Sequence, residues 1–570
     1  MLKVFRQYGM LFIIPGIVLG CSIMLRLTAG PFWLATNLDP SYQYLVNGLY
    51  LLKGYVPNHV DHPGTPLQML CGAVCWAFNF GQSLEGTVVH VLRSPEFYLH
   101  SVFMILSALA FLSSLALAVL VYQKTGARTA AILSQLPSLF FLSLTSGNST
   151  EAVNPVVANV SPEPLLIVVI NLFNICFLMN YYAESSKDKL VSSVCWGFVC
   201  GLGAAVKLTF IPVLAVPLII LGWRDKFLFA VVSALSFFVW TLPIISRYSI
   251  IWGWISGIAM HKGNFQSGLD RVSEMHGYCS NLSSIIEGQW AYVLVLIAAL
   301  VFVLWKFFGK KWDKGAAFLA AAALGVLIQF ASVAQHPGAR YLLPGQGLFS
   351  VLLVLFYCQW SIHQVLAKRI VPVLIAVFII AGIWQVNGYR SRLAGFTGDV
   401  LAFHKHVLSK YQACTIINYY QSSDQSAALF FGDGWNLSPR LGKELFGIYP
   451  DKYYLSVWGN KILNFNDKVF SNDLLAQNAC VLFQGDGSFD FSKGPYEVRL
   501  LEKGRYESIH QLTGTSEKEA ALLVAGAMHF FQGGEYDQAM MCALQARKLH
   551  YQPDATIDAL IKLFEPYLQH

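Results

Sequence analysis

Charge is what this chain has least of. Asp, Glu, Lys and Arg make up 12% of its 570 residues, while 55% are hydrophobic and the mean hydropathy is +0.51. Soluble domains carry roughly 25% charged residues. One large core cannot absorb such a deficit, so a soluble globular class is excluded and an integral membrane protein is expected. No tract interleaves basic with aromatic residues, and the formal net charge of +7 is modest. Nucleic acid is therefore not an expected partner, and the charge reads as basic loops on one side of a bilayer. Neither a CxxC pair nor zinc-type Cys/His spacing occurs among the eleven Cys. Most of these lie in apolar runs as small core residues. Cys414 and Cys480 differ, since each begins a strand-like run and the two can pair as a disulfide. The first apolar run, "GMLFIIPGIVLGCSIMLRL", follows Lys3 and Arg6 but lacks a small-residue cleavage site. It is expected to be retained as a first span.

A spanning helix needs ~20 mostly apolar residues. Such runs fall near 9–27, 98–121, 129–146, 163–182, 190–206, 208–222, 227–246, 289–305, 315–333, 342–359 and 370–386, which makes about eleven. The shorter run 66–80 reads as interfacial or re-entrant. With a cytoplasmic N-terminus every inner loop is basic, from Lys124 and Arg128 through Lys187 and Lys189 to Lys306–Lys314 and Lys368. The outer loops are longer and poorer in Lys and Arg. The expected fold class is thus an α-helical polytopic membrane protein with a membrane domain over 1–390. A soluble α/β domain over 395–512 follows, with strand-like runs such as "CTIINYY" and "ACVLFQG". The tail over 515–570 reads as helical, with the Ala/Gly/Tyr/Ala spacing of a tetratricopeptide helix pair.

Ionisable residues at a membrane edge are expensive, so function is their default explanation. In this topology Asp39, the "HVDHPGTP" group of His59, Asp61 and His62, Glu163 in "VSPEPLL", Lys207 in "GLGAAVKLTFIP", and His336, Arg340 and Tyr341 in "QHPGARYLLP" all reach the outer face. Lys207 and Arg340 have no acidic neighbour in sequence, and a point charge and a planar fork suit a phosphate. The plainer explanation is snorkelling. Asp39 precedes Pro40 and a run in which Tyr42, Leu45, Leu49 and Leu52 recur at helical spacing, expected to lie on the membrane surface. Asp39 can cap that helix, and a carboxylate there can also take a proton from an acceptor hydroxyl. His59, Asp61 and His62 are candidates for substrate contact or for a divalent cation, and a solvated loop is the plainer alternative. Glu163 can cap its span or contact substrate.

These motifs, in this order, resemble those of the C-type membrane glycosyltransferases that use polyprenyl-phosphate sugars, such as protein O-mannosyltransferases and the aminoarabinose transferases of lipid A. The likeness rests on an acid, an amphipathic helix, Gly54-Tyr55 and His62-Pro63 in the first outer loop, then "SPEPLL", the Gly-rich span ending at Lys207, and "RYLLP". It covers about residues 1–390. The resemblance implies a GT-C-like fold, Asp39 as base or acceptor-orienting group, and Lys207 and Arg340 as ligands of the donor phosphate. His59, Asp61, His62, Glu163, His336 and Tyr341 would contact substrate. Many relatives have two consecutive acids where this chain has Asp39-Pro40. That departure leaves metal dependence and acceptor type open.

The implied function is transfer of a sugar from a polyprenyl-phosphate donor to a glycan, lipid or protein acceptor at the outer face, with inversion. A secondary transporter or lipid flippase is the alternative, but transporters place polar sites near the midplane and often show internal repeats. The chain has no endoplasmic-reticulum retrieval signal. The expected location is the bacterial inner membrane with the site facing the periplasm, and the endoplasmic reticulum is the alternative.

Overall fold

The computed structural model describes residues 8–34, 41–60, 63–142, 144, 155–260, 275–335, 338–360, 364–419, 424–434, 439–456 and, in shorter pieces, 461–567. The chain forms two compact units. One comprises Met1–Thr397 with Gly432–Ser438, the other Gly398–Phe431 with Pro439–His570.

Nine helices among the described residues of the chain are long and apolar enough to cross a membrane. With two shorter ones they are numbered α1 (Gly9–Thr28), α2 (Ser41–Leu52), α3 (Thr65–Phe78), α4 (Pro95–Thr125), α5 (Pro162–Tyr181), α6 (Ser186–Val206), α7 (Trp223–Gly253), α8 (Trp290–Phe308), α9 (Lys314–Val333), α10 (Ala339–Trp360) and α11 (Val371–Lys410). Two of the runs expected to span are instead broken. The 129–146 run contains the short helices Arg128–Leu133 and Pro137–Phe141. The 208–222 run becomes a 3₁₀ turn, Leu208–Leu214, and a short helix, Ala215–Ile220. Pro137, Pro212 and Pro217 remove backbone donors and stop a regular helix. The Leu208–Ile220 pair extends about 23 Å, short of the ~30 Å hydrocarbon core.

The helix after Asp39 is not on a surface. Every residue of Ser41–Tyr50 is buried. The reason is a backbone crossing: a Cβ on Gly48 would stand 2.7 Å from the Gly72 nitrogen, so α2 and α3 touch where neither has a side chain. Glycine also brings α6 against α7. A Cβ on Gly201 would meet the Ser233 carbonyl at 2.3 Å, and one on Gly197 the Phe229 carbonyl at 2.8 Å. Small residues at such spacing let membrane helices approach closely.

Helix α5 defines two ends of the bundle. At its C-terminus Lys314 stands 5.5 Å from the Tyr181 ring, and Lys189 is close enough to act on Lys314. Asp188, beside Lys189, feels Lys124. Lys124, Lys189 and Lys314 thus share this end. Glu163 lies at the other end, about 27 Å away at 1.5 Å per residue.

The second unit holds a seven-stranded sheet in the order β4-β3-β2-β1-β5-β7-β6. Its strands are β1 (Thr415–Asn418), β2 (Tyr453–Ser456), β3 (Lys461–Leu463), β4 (Lys468–Val469), β5 (Val481–Asp486), β6 (Tyr496–Lys503) and β7 (Glu507–Thr515). Strand β1 runs parallel to β2 and β5, and the other pairs are antiparallel. Thr415 is registered with Val481, so the preceding Cys414 and Cys480 meet, and they form a disulfide. The helices Tyr536–Leu549 and Ala555–Phe564 close a small apolar core around Ala543, Ile557 and Phe564.

Candidate active site at one end of the helix bundle

Helix α6 ends at Val206, and Lys207 continues in extended backbone, φ −161° and ψ 133°. Its side chain turns inward and is buried. Lys207 Nζ donates to Glu163 Oε1 at 2.6 Å, and both side chains are at most 5% exposed. Lys207 has no acidic neighbour in sequence, and its partner lies 44 residues away in the first turn of α5. Burial explains the pairing, because an ammonium taken out of water without a counter-ion is strongly unfavourable.

Lys207 Nζ also lies 5.2 Å from the centre of the Tyr341 ring. The Arg340 guanidinium carbon lies 5.1 Å from the same centre, and Arg340 Nη2 donates to the Tyr341 hydroxyl at 3.2 Å. Two cations distant in sequence therefore converge on one aromatic ring, whose face attracts both. Gln329 of α9 ties the two backbones together. Its Nε2 donates to the Thr209 carbonyl at 3.1 Å and to the Tyr341 carbonyl at 2.7 Å. Among the described residues Lys207 gives one of its three protons to Glu163, which leaves two for an anion or water. Glu163, Lys207 and Arg340 together carry one more positive than negative charge. Arg340 is partly exposed.

Asp39, Asp61, His62 and His336 lie outside the described residues. Their neighbours do not. The Val160 amide donates to Ser41 Oγ at 3.1 Å. That bond holds the chain two residues after Asp39 against the chain three residues before Glu163. Val60, one residue before Asp61, shares a buried apolar cluster with Leu208, one residue after Lys207. Ser41 and Val60 therefore lie beside the segments that carry Glu163 and Lys207. His59 does not belong to a solvated loop. It is buried, with its ring edge-on to Tyr44 at 5.5 Å, its amide directed at Asn47 Oδ1 and its carbonyl accepting from Gln68. Among the described residues no three His, Cys, Asp or Glu side chains group as a metal site.

No family model and no curated protein matches the chain. Solved structures are similar to it. One is ArnT from Cupriavidus metallidurans bound to undecaprenyl phosphate, at 10% identity and a TM-score of 0.46, over 88% of this chain and 98% of that one. Another is the oligosaccharyltransferase AglB from Archaeoglobus fulgidus with an inhibitory peptide and a dolichol-phosphate, at 11% identity and a TM-score of 0.38, over 71% and 58%. The apo oligosaccharyltransferase from the same organism gives 11% and 0.39, over 100% and 86%. The chemistry of this chain has to come from its own side chains.

Three features of the site were not read from the sequence. Gln329 is one, and its signal was an amide inside the apolar run "LGVLIQFASV". Arg26 is the second, and it interrupts "SIMLRLT". Its Nη1 donates to the Ala158 carbonyl at 3.0 Å, its Nη2 to the Gly30 carbonyl, and its guanidinium stacks on Phe32 at 3.9 Å. Glu96 is the third. It accepts from the Phe32 amide at 3.0 Å and from the Tyr42 hydroxyl at 2.7 Å. Arg26 and Glu96 thus hold the chain on either side of the Asp39 segment.

Proposed function

We propose that this chain is a membrane glycosyltransferase that moves a sugar from a polyprenyl-phosphate donor to an acceptor at the outer face of a membrane. The observation that carries the reading is the meeting of Lys207 and Arg340 at Tyr341, at the end of the bundle opposite Lys124, Lys189 and Lys314. In the reaction the bond between the anomeric carbon and the phosphate oxygen breaks, and its electron pair stays on the phosphate. The acceptor oxygen bonds to the anomeric carbon from the opposite face, and its proton passes to Asp39. Fixed cations stabilise the charge that develops on the leaving phosphate. Arg340 supplies a two-pronged contact and Lys207 a point charge.

An amphiphilic donor also needs an apolar site for its chain. Helix α10 begins with Arg340 and Tyr341, and further along it walls a cavity of about 350 Å³ with Phe349 and Phe356. Leu136, Phe140, Tyr292 and Phe378 complete its apolar lining. One helix thus links a cation site to an apolar cavity, the order in which a lipid phosphate presents its parts. Two observations support an outer location. Basic loops favour the cytoplasmic side, and a disulfide persists in oxidising compartments, which fits Cys414–Cys480 in the chain beyond α11.

The test is transfer from defined polyprenyl-phosphate sugars to candidate acceptors by the full chain in defined lipid. Arg340→Ala and Asp39→Asn are each expected to lower kcat/KM by on the order of 100-fold. Wild-type transfer in both variants removes the site assignment. Movement of the lipid across the bilayer without transfer rejects the enzyme in favour of a flippase. Retained anomeric configuration rejects the single displacement.

A further inference from the structure

The polar floor under the first outer loop is completed by a residue from far beyond the last membrane helix. Gly432–Ser438 belongs to the membrane unit, although the residues on both sides of it belong to the other. Asp433, in this segment, is 1% exposed. The Tyr50 hydroxyl of α2 donates to its carboxylate and lies 2.9 Å from its carbonyl. Asn58 Nδ2 donates to the same carbonyl at 3.0 Å and lies 3.1 Å from the Tyr50 hydroxyl. The Asn58 amide in turn donates to Asn47 Oδ1 at 2.6 Å. The preceding residue matches this contact. A Cβ on Gly432 would lie 3.2 Å from both the Tyr42 carbonyl and Val46 Cγ2, so a glycine permits the segment to lie against α2.

We infer that Asp433 is a positioning residue for the proposed transfer site, acting through Tyr50 and Asn58 on the segment that carries His59 and Val60. The route is short. The Asp433 carboxylate takes a hydrogen bond from the Tyr50 hydroxyl, that hydroxyl accepts from Asn58 Nδ2, and Val60 shares an apolar cluster with Leu208, which adjoins Lys207. Asp433→Ala keeps the carbonyl that Asn58 meets but releases the Tyr50 hydroxyl that orients the Asn58 amide, while Arg340, Tyr341 and Gln329 are untouched. Donor binding is therefore expected to persist while the reacting groups lose alignment, and misplacement of about 1 Å costs on the order of 100-fold in rate.

This inference rests on the transferase reading, so the test has two arms. In the first, full-length Asp433→Ala, Asp433→Asn, Tyr50→Phe and Gly432→Leu proteins are assayed for sugar transfer. Asp433→Ala and Gly432→Leu are expected to lower kcat by roughly 10- to 100-fold with the donor KM within about twofold. Asp433→Asn retains an acceptor for Tyr50 and is expected to stay within about threefold of wild type. In the second arm, amide hydrogen exchange is followed over residues 53–60 without any substrate. Exchange at Asn58 and His59 is expected to rise by about tenfold in Asp433→Ala. Where Asp433→Ala fails to fold, Tyr50→Phe, which removes one hydroxyl, must show the same exchange change at smaller size. Unchanged exchange in the folded variants overturns the inference whether or not the chain transfers sugar. An Asp433→Ala protein whose only defect is a raised donor KM also overturns it. A wild-type chain that transfers no sugar but shows the exchange change overturns the transferase reading and leaves the loop anchor standing.

Discussion

Replacing Glu163 by glutamine removes the carboxylate that Lys207 Nζ meets at 2.6 Å, within a pair whose side chains are 1% and 5% exposed. Removing one member of a buried ion pair costs about 3–5 kcal/mol, because the remaining charge is left uncompensated. Glu163→Gln and Lys207→Met should each destabilise the membrane unit by that amount. The double variant carries neither charge, and it should recover all but about 1–2 kcal/mol. The assay is unfolding of each protein in the same detergent, read by the helix signal as a double-mutant cycle. A second readout separates structure from ligand binding. In the wild type an arriving lipid phosphate must share Lys207 with Glu163, whereas in Glu163→Gln it need not. A charge-assisted hydrogen bond contributes about 1.5–3 kcal/mol. Undecaprenyl phosphate should therefore bind Glu163→Gln about 10- to 100-fold more tightly, and should restore its stability in proportion to occupancy. The reasoning is refuted if Glu163→Gln binds the lipid phosphate no more tightly and the double variant still transfers sugar at the wild-type rate. Lys207 would then be a purely structural partner of Glu163.

Three further outcomes follow from the same structure. Arg340→Lys keeps the charge but loses the planar fork, so lipid-phosphate affinity should fall by roughly tenfold, measured by titration in fixed detergent, and an unchanged affinity refutes a two-pronged contact. Replacing both Cys414 and Cys480 by Ser opens a loop spanning a sequence separation of 66; the second unit should lose about 4 kcal/mol, and a reductant should then have no further effect on its unfolding. Glu502 accepts hydrogen bonds from Lys410, Tyr411 and His406, which hold its carboxyl at about 2 rather than the ordinary 4.5. Between these values the unfolded chain binds more protons than the folded one, so this contribution to stability is complete above pH 4.5 and lost as the pH falls toward 2. Glu502→Gln should flatten the acid limb of the second unit's unfolding profile, and an unaltered limb argues against the pairing.

The membrane helices were legible because each is an uninterrupted apolar run of bilayer length, and such runs need no knowledge of their neighbours. The two broken runs carried their own signal in Pro137, Pro212 and Pro217, which length alone overrode. A common end for Glu163, Lys207 and Arg340 was expected from a count of about eleven spans, two of which are broken in the structure. What the sequence could not show was contact. The apolar spacing of Tyr42, Leu45 and Leu49 defines one buried face, but the opposite face is buried too, because Gly48 meets Gly72 across helices. Lys207 and Glu163 are each unremarkable at a helix end, and their pairing exists where α5 and α6 bring those ends together. Asp433 lay in a stretch read as part of a soluble domain, and no local pattern places it under α2.

The arrangement also divides the work between the two cations. An ammonium buried like that of Lys207 needs a counter-ion whether or not a ligand is present, and Glu163 supplies one. The guanidinium of Arg340 is partly exposed. In the proposed reaction a donor phosphate would meet the partly exposed Arg340 first. It would reach Lys207 across the Tyr341 ring that both cations border. On that proposal, charge developing on the phosphate as the sugar departs would shift the balance of Lys207 from Glu163 toward the leaving group. Such an interaction is stronger in the transition state than in the bound ground state, which is the condition for accelerating the chemical step rather than tightening binding.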